Sequence, residues 1–120
     1  MTVGTLEADK TSVIRSSAIL TPEWVQVGYE TWGEGPPLVL IHGAFSDQRT
    51  NWDLVREMLA EHVTGYAMSR RGRGETDKTG DHELDDEIAD AAALIRAIGE
   101  PVALLGHSYG ALVALGAAAR

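Results

Sequence analysis

The strongest constraint on this chain is the pentapeptide GHSYG at positions 106–110, which stands between an apolar run and a stretch of small residues. The run 102–105 is typical of a buried strand, and 111–119 is typical of a helix that packs closely on a sheet. Glycine on both sides of the serine permits a sharp turn that bulkier residues would block. The pattern predicts a strand, a tight turn and a helix, with the Ser108 hydroxyl exposed at the turn.

The rest of the chain alternates short apolar runs with helical patterns. Residues 24–33 alternate apolar and polar side chains, which predicts a half-buried strand paired with 11–20 in an N-terminal hairpin. Two further runs predict strands, and two stretches with apolar residues at helical spacing predict helices. The strands are predicted at 37–43 and 62–68, and the helices at 51–61, capped by Asn51, and at 82–101. This order predicts an α/β fold of three αβα layers, with a mostly parallel sheet.

The composition excludes several classes of function. A net charge of −8 disfavours nucleic acid and anionic membrane surfaces as partners, and no apolar run has the length of a membrane span. The chain has no cysteine, so it has no disulfide framework and no thiolate chemistry. We find neither the spacing of metal ligands nor a glycine-rich phosphate cradle. We therefore expect a cytoplasmic protein with no cofactor, no metal and no nucleic-acid or membrane partner.

Three segments, in this order and spacing, resemble the N-terminal half of an α/β-hydrolase. They are PLVLIHGAFSDQRTNW at 37–52, GYAMSRRGRGETD at 65–77 and PVALLGHSYGALVAL at 101–115. The resemblance extends from about Trp24 to Arg120. It implies a serine hydrolase that cleaves an ester, or a related acyl group, of a small-molecule substrate through an acyl-serine intermediate. Acyl transfer, cofactor-free haloperoxidation and carbon–carbon bond hydrolysis use similar parts in this family and stay open as alternatives.

The same resemblance implies the residues of the site. Ser108 is the expected nucleophile, and the start of the following helix aims the Tyr109 backbone N–H at the developing oxyanion. The second oxyanion-hole N–H is expected from Ala44, with Phe45 as the alternative. Ser69 departs from the family pattern, because this position is often Asp.

The base and the acid of the triad are the missing parts. The family places them after the nucleophile, and none of the twelve residues that follow Ser108 is Asp, Glu or His. We therefore expect residues 1–120 to be one incomplete domain, inactive by itself, without the later strands and the cap. As for upstream bases, His107 is expected to form a packing or hydrogen-bonding contact, and His42 to support its loop. His62 and His82 are expected at the surface.

Other conspicuous side chains have structural interpretations that we favour over functional ones. The arginines could bind an anionic substrate or balance nearby acids, the tryptophans are expected to be packing residues, and the acids suit a helix N-terminus. These groups are Arg70, Arg71 and Arg73; Trp24, Trp32 and Trp52; and Glu83, Asp85, Asp86, Glu87 and Asp90.

Two alternatives to an enzyme stay open. One is a complete small α/β domain that binds a ligand or partner without catalysis, and the other is a hydrolase-derived interaction module. An incomplete domain would leave the strand at 102–105 as a sheet edge without charge or proline, so we expect the isolated chain to self-associate or to be marginally folded.

Overall fold

The computed structural model describes residues 13–72, residue 76 and residues 82–120. Within these ranges the chain forms a five-stranded sheet with the spatial order β1-β2-β4-β3-β5. Its strands are β1 (Arg15–Leu20), β2 (Gln26–Gly33), β3 (Pro37–Ile41), β4 (Thr64–Met68) and β5 (Ala103–Gly106). The helices are α1 (Arg56–Ala60), α2 (Leu84–Ile98) and α3 (Tyr109–Ala118).

The sheet is antiparallel in its first half and parallel in its second. β1 pairs with β2 in the predicted hairpin, and β2 is also antiparallel to β4. β3 runs parallel to both of its neighbours, β4 and β5. The predicted order of elements and the parallel pairing after the hairpin are confirmed, and the fold class is α/β.

The interior strand β3 has a packed layer on each face, which explains its continuous apolar sequence. All five of its residues are buried. Val39 and Ile41 pack with residues of α2 and α3, whereas Leu38 and Leu40 pack with Trp52 and with Ala60 of α1. Alternate side chains of one strand therefore fill two separate cores, giving the three predicted layers.

Helix α2 matches its prediction closely. It begins after Glu83, whose backbone N–H donates to the Asp86 carboxylate over 2.9 Å, and three acids lie in its first turn. Gly99 ends the helix in the left-handed conformation, with φ of 79°, as expected of a residue without a side chain. No helix in the described part of the chain is both long enough and apolar enough to cross a membrane.

The helix predicted at 51–61 is wrong in its extent. The chain forms a short 3₁₀ turn at Thr50–Trp52 and then the five-residue α1, with turn residues 53–55 between them. Asn51 does not cap α1, because Val55 occupies that position and no side chain caps it. The Asn51 side chain makes long-range contacts instead, which are described below.

Trp24 is a second correction, because it is not a packing residue. It lies in the turn between β1 and β2, is 80% exposed and has a φ of 66°. Its N–H donates to the Thr21 carbonyl over 2.9 Å, which closes the turn before β2 begins at Gln26. Trp32 and Trp52 are buried, as predicted.

Strand β5 is present but is not the buried strand that its apolar sequence indicates. Among the residues that the structure describes, it lies at the edge of the sheet and pairs with β3 alone, and Leu105 is 38% exposed. Leu112 and Leu115 on α3 are exposed as well. No strand in the described ranges pairs with the outer edge of β5, so β5 is an unpaired apolar edge there.

Candidate active site

The turn between β5 and α3 holds Ser108 in a backbone conformation that residues other than glycine rarely adopt. Its φ is 56° and its ψ is −121°. The turn is closed by two hydrogen bonds of 2.9 Å, from Gly110 N–H to the His107 carbonyl and from Ala111 N–H to the Ser108 carbonyl. Ser108 is exposed. The predicted sharp turn with an outward serine is therefore present.

The two glycines of the pentapeptide are sterically required. A Cβ atom at Gly106 would lie 2.5 Å from the Ala111 Cα atom. A Cβ atom at Gly110 would collide with the carbonyl oxygens of Ile41 and His42. The turn therefore brings α3 against β5 and against the end of β3 at distances that only hydrogen permits.

Three of the four predicted site residues meet at one cavity of about 530 Å³. Ser108 lines it from the β5 side, and Ala44 and Phe45 line it from the loop that follows β3. The remaining lining residues are Gly43, Ser46, Asn51, Trp52, Leu54, Val55 and His107. Tyr109 is not a lining residue. It is the first residue of α3, where backbone N–H groups have no acceptor within the helix.

His42 fixes the orientation of the loop that carries Ala44. Its Nδ1 lies 2.8 Å from the Gly43 carbonyl oxygen, and its Nε2 accepts the Arg70 N–H over 3.0 Å. Nδ1 therefore carries the hydrogen. In a planar trans peptide, the carbonyl of one residue and the N–H of the next point in opposite directions. The His42 ring holds the Gly43 carbonyl, so it also sets the direction of the Ala44 N–H. His42 is fully buried and supports the loop, as predicted.

The other histidines have different surroundings. His107 is exposed, and its Nδ1 lies 3.1 Å from the Asn51 carboxamide oxygen, which confirms a hydrogen-bonding contact. His62 is exposed, as expected. His82 is partly buried, and its Nε2 lies 3.2 Å from the Glu87 carboxylate, a contact that the sequence did not indicate. None of the described side chains forms a hydrogen bond with the Ser108 hydroxyl.

The arginines after β4 balance buried acids of α2. Arg70 donates to Glu87 over 2.6 Å and Arg71 to Asp90 over 2.7 Å, with all four side chains at most 10% exposed. The Arg70 guanidinium also lies 4.4 Å from the centre of the Tyr109 ring. Burial raises the pKa of the Asp90 carboxyl, and the hydrogen bond from Arg71 opposes that effect.

The remaining predictions about charged groups have mixed outcomes. Arg73 lies outside the described residues. Glu87 and Asp90 do more than suit a helix N-terminus, because each forms a buried ion pair. Within residues 13–72, 76 and 82–120, no group of three or more His, Asp or Glu is arranged to hold a metal ion.

Ser69 is buried, and its carbonyl accepts the Thr76 hydroxyl, which in turn accepts the Gly28 N–H over 3.0 Å.

Sequence reasoning missed the residues that anchor the loop after β3. Asp47 accepts the backbone N–H groups of Thr50 over 2.8 Å and of Arg49 over 3.0 Å, and the Thr50 bond is the main reason that the Asp47 pKa is lowered. Arg49 forms a two-pronged ion pair with the buried Glu30 carboxylate of β2. The available signal was the run of six polar residues at 46–51, which is separated by four residues from the end of an apolar strand.

Comparison with known proteins supports the fold and the strand–serine–helix arrangement together. A sequence model described as the Alpha/beta hydrolase family matches residues 38–120, which include β3, the loop after it and the Ser108 turn. The chain belongs to this family. The fold is the N-terminal part of an alpha/beta hydrolase, as the sequence motifs predict.

Individual relatives cover the same part of the chain. It is 32% identical to a non-heme haloperoxidase of Rhodococcus erythropolis, over 77% of this chain and 34% of that protein. It is 37% identical to an N-formylmaleamate deformylase of Pseudomonas putida, over 73% of this chain and 34% of that protein. A crystal structure of an alpha/beta hydrolase from Sphaerobacter thermophilus superposes with a TM-score of 0.76 at 36% identity, over 86% of this chain and 40% of that one. The chain spans about a third of the length of these curated relatives.

Proposed function

We propose that Ser108 is the nucleophile of a hydrolase that cleaves an ester or a related acyl substrate through an acyl-serine intermediate. The observation that carries the proposal is the strained backbone of Ser108, which presents the hydroxyl to a cavity shared with the loop after β3. Strain of this kind persists only where the surrounding structure enforces it, and it is concentrated at functional sites. Here the two close-packed glycines and the strand–helix junction enforce it.

The reaction would begin with attack of the Ser108 oxygen on the substrate carbonyl carbon, while a general base removes the hydroxyl proton. The negative charge that develops on the carbonyl oxygen would be stabilised by the N–H groups of Tyr109 and Ala44, or of Phe45 in place of Ala44. Collapse of this intermediate breaks the bond to the leaving group, which takes up the proton that the base removed from Ser108. Water then hydrolyses the acyl-serine and restores the hydroxyl.

The proposal assigns the general base and its acid to residues outside the described part of the chain. His42 is excluded as the base because it is buried and both of its ring nitrogens are engaged. His107 is held through Nδ1 by Asn51 and makes no hydrogen bond with the Ser108 hydroxyl. In this proposal the described residues supply only the nucleophile and the oxyanion hole.

The test is the replacement Ser108→Ala in the natural full-length protein, assayed on a series of activated esters and amides. Since the hydroxyl is used in the chemical step, kcat should fall at least about 10³-fold, while substrate binding stays roughly unchanged. Ser46→Ala is the matched control, because it removes a hydroxyl from the same cavity. It should keep kcat within about tenfold of the parent.

Two results would count against the proposal. A Ser108→Ala protein that keeps activity within about tenfold of the parent would show that another group is the nucleophile. A natural protein that turns over no substrate but binds a small molecule at the cavity would favour the alternative, a non-catalytic binding domain.

A further inference from the structure

The carboxamide oxygen of Asn51 joins two segments that are far apart in sequence. It accepts the Gly43 N–H over 3.1 Å and lies 3.1 Å from Nδ1 of His107. The Gly43 N–H can only donate, so the Asn51 atom that faces it is the oxygen and not the amide nitrogen. That oxygen can only accept, so Nδ1 of His107 must carry a hydrogen. The structure therefore fixes both the orientation of the Asn51 amide and the tautomer of the neutral His107 ring.

Asn51 acts where the sheet itself no longer holds the two segments together. The last backbone bond between them runs from His107 N–H to the Ile41 carbonyl, over 3.0 Å. Beyond it, one segment continues to Gly43 and Ala44 and the other to Ser108. The two remain close there, because a Cβ atom added to Gly43 would lie 3.0 Å from Nδ1 of His107.

We propose that Asn51 is a positioning residue, which holds the loop that carries Ala44 at a fixed distance from the turn that carries Ser108 and keeps His107 in the Nδ1–H tautomer. This inference rests on the proposed function. It extends it by naming a side chain that touches neither the nucleophile nor the expected oxyanion.

The chemical consequence concerns the spacing of the two oxyanion donors. Ala44 directly follows Gly43, and Tyr109 lies two residues after His107, so the Asn51 bridge connects the two halves of the expected oxyanion hole. Fixed donors stabilise the developing charge most when they need no rearrangement during the reaction. A shift of about 1 Å at such a site can cost on the order of 100-fold in rate. Loss of the bridge should therefore lower kcat more than it weakens substrate binding.

The test uses the natural full-length protein and three variants. Asn51→Leu has a similar shape and removes the acceptor, whereas Asn51→Asp keeps an acceptor oxygen at the same place. Asp53→Asn, two residues after Asn51, is the control, because it weakens only the surface ion pair of Asp53 with Arg56. We expect Asn51→Leu to lower kcat about 10- to 100-fold with KM changed less than about threefold. Asn51→Asp should recover most of that loss, and Asp53→Asn should match the parent.

A second measurement does not depend on activity. The ¹⁵N chemical shifts of the His107 ring at alkaline pH report which nitrogen carries the hydrogen, and the signals are assigned by their loss in His107→Gln. The parent and Asn51→Asp should show a protonated Nδ1, and Asn51→Leu should shift toward the Nε2–H form. An Nε2–H tautomer in the parent would overturn the inference even if Asn51→Leu fails to fold.

The outcomes separate this inference from the proposed function. If Ser108→Ala abolishes activity while Asn51→Leu leaves both kcat and the His107 tautomer unchanged, the positioning role is wrong and the nucleophile stands. If Ser108→Ala stays active while Asn51→Leu shifts the tautomer and lowers kcat, the bridge is supported and the nucleophile is wrong.

Discussion

The replacement Gly110→Ala tests whether the turn really forces α3 against β3. In a helix, Ala for Gly normally stabilises by about 1 kcal/mol. Here the added Cβ would collide with the carbonyl oxygens of Ile41, the last residue of β3, and of His42, which follows it. Neither is the flexible end of a side chain, so the helix itself must move. Overpacking costs up to about 3 kcal/mol, so after the gain in helix propensity the free energy of unfolding should fall by about 2 kcal/mol.

Urea denaturation followed by tryptophan fluorescence measures this loss, because Trp32 and Trp52 are buried. A loss of about 2 kcal/mol should lower the midpoint by roughly 1 M urea. Two further glycines provide controls. In Gly99→Ala the added Cβ would meet no atom, so only the positive φ opposes the change, at a cost of about 1 kcal/mol. In Gly116→Ala the added Cβ would meet the movable end of the Ile88 side chain. If Gly110→Ala is as stable as the parent, or loses less than both controls, the steric argument is wrong.

Three other predictions concern the surroundings of the site. Glu87→Gln should destabilise the fold by about 3 kcal/mol in the same urea assay, because the buried Arg70 charge loses its counter-ion, and an unchanged midpoint would contradict this. The pKa of Asp47 is lowered in the folded protein, so its ionised carboxylate stabilises the fold. This contribution is complete at pH values above the ordinary pKa of 3.8 and is lost as the pH falls through the lower pKa of the folded state. The stability gap between parent and Asp47→Asn should therefore narrow below about pH 4, and a gap independent of pH would refute it. Sedimentation of residues 1–120 should show self-association that Leu105→Lys on the β5 edge reduces, whereas a strict monomer with a sharp melt would favour a self-sufficient small domain.

The parts of the fold that local sequence encodes were predictable. The alternation of 24–33 predicts β2 and the apolar run at 37–43 predicts β3, with bounds within two residues of those observed, while Gly99 marks the end of α2. The Ser108 turn follows from glycine spacing between two apolar elements. Each of these depends on residues within one turn or one strand, where periodicity and glycine conformations are informative.

The parts that depend on distant residues were not predictable. Asn51 is of a residue type that often caps helices, but its carboxamide oxygen forms a hydrogen bond with His107, 56 positions later in the sequence. The acids of α2 suit a helix N-terminus, yet Glu87 and Asp90 are buried by arginines 17 and 19 positions away. The local preferences of a residue do not indicate which residue, distant in the sequence, forms a hydrogen bond or ion pair with its side chain.

The identity of the nucleophile is the central claim, and covalent labelling tests it most directly. The natural full-length protein would be treated with a fluorophosphonate, which reacts only with an activated serine, and the modified peptide identified by mass spectrometry. We expect one adduct, on Ser108, that is lost in Ser108→Ala. We expect no stable adduct on isolated residues 1–120, because no side chain in the described part of the chain forms a hydrogen bond with that hydroxyl. A catalytically active protein that carries its adduct on another residue, or strong Ser108 labelling of the isolated 120 residues, would contradict the account.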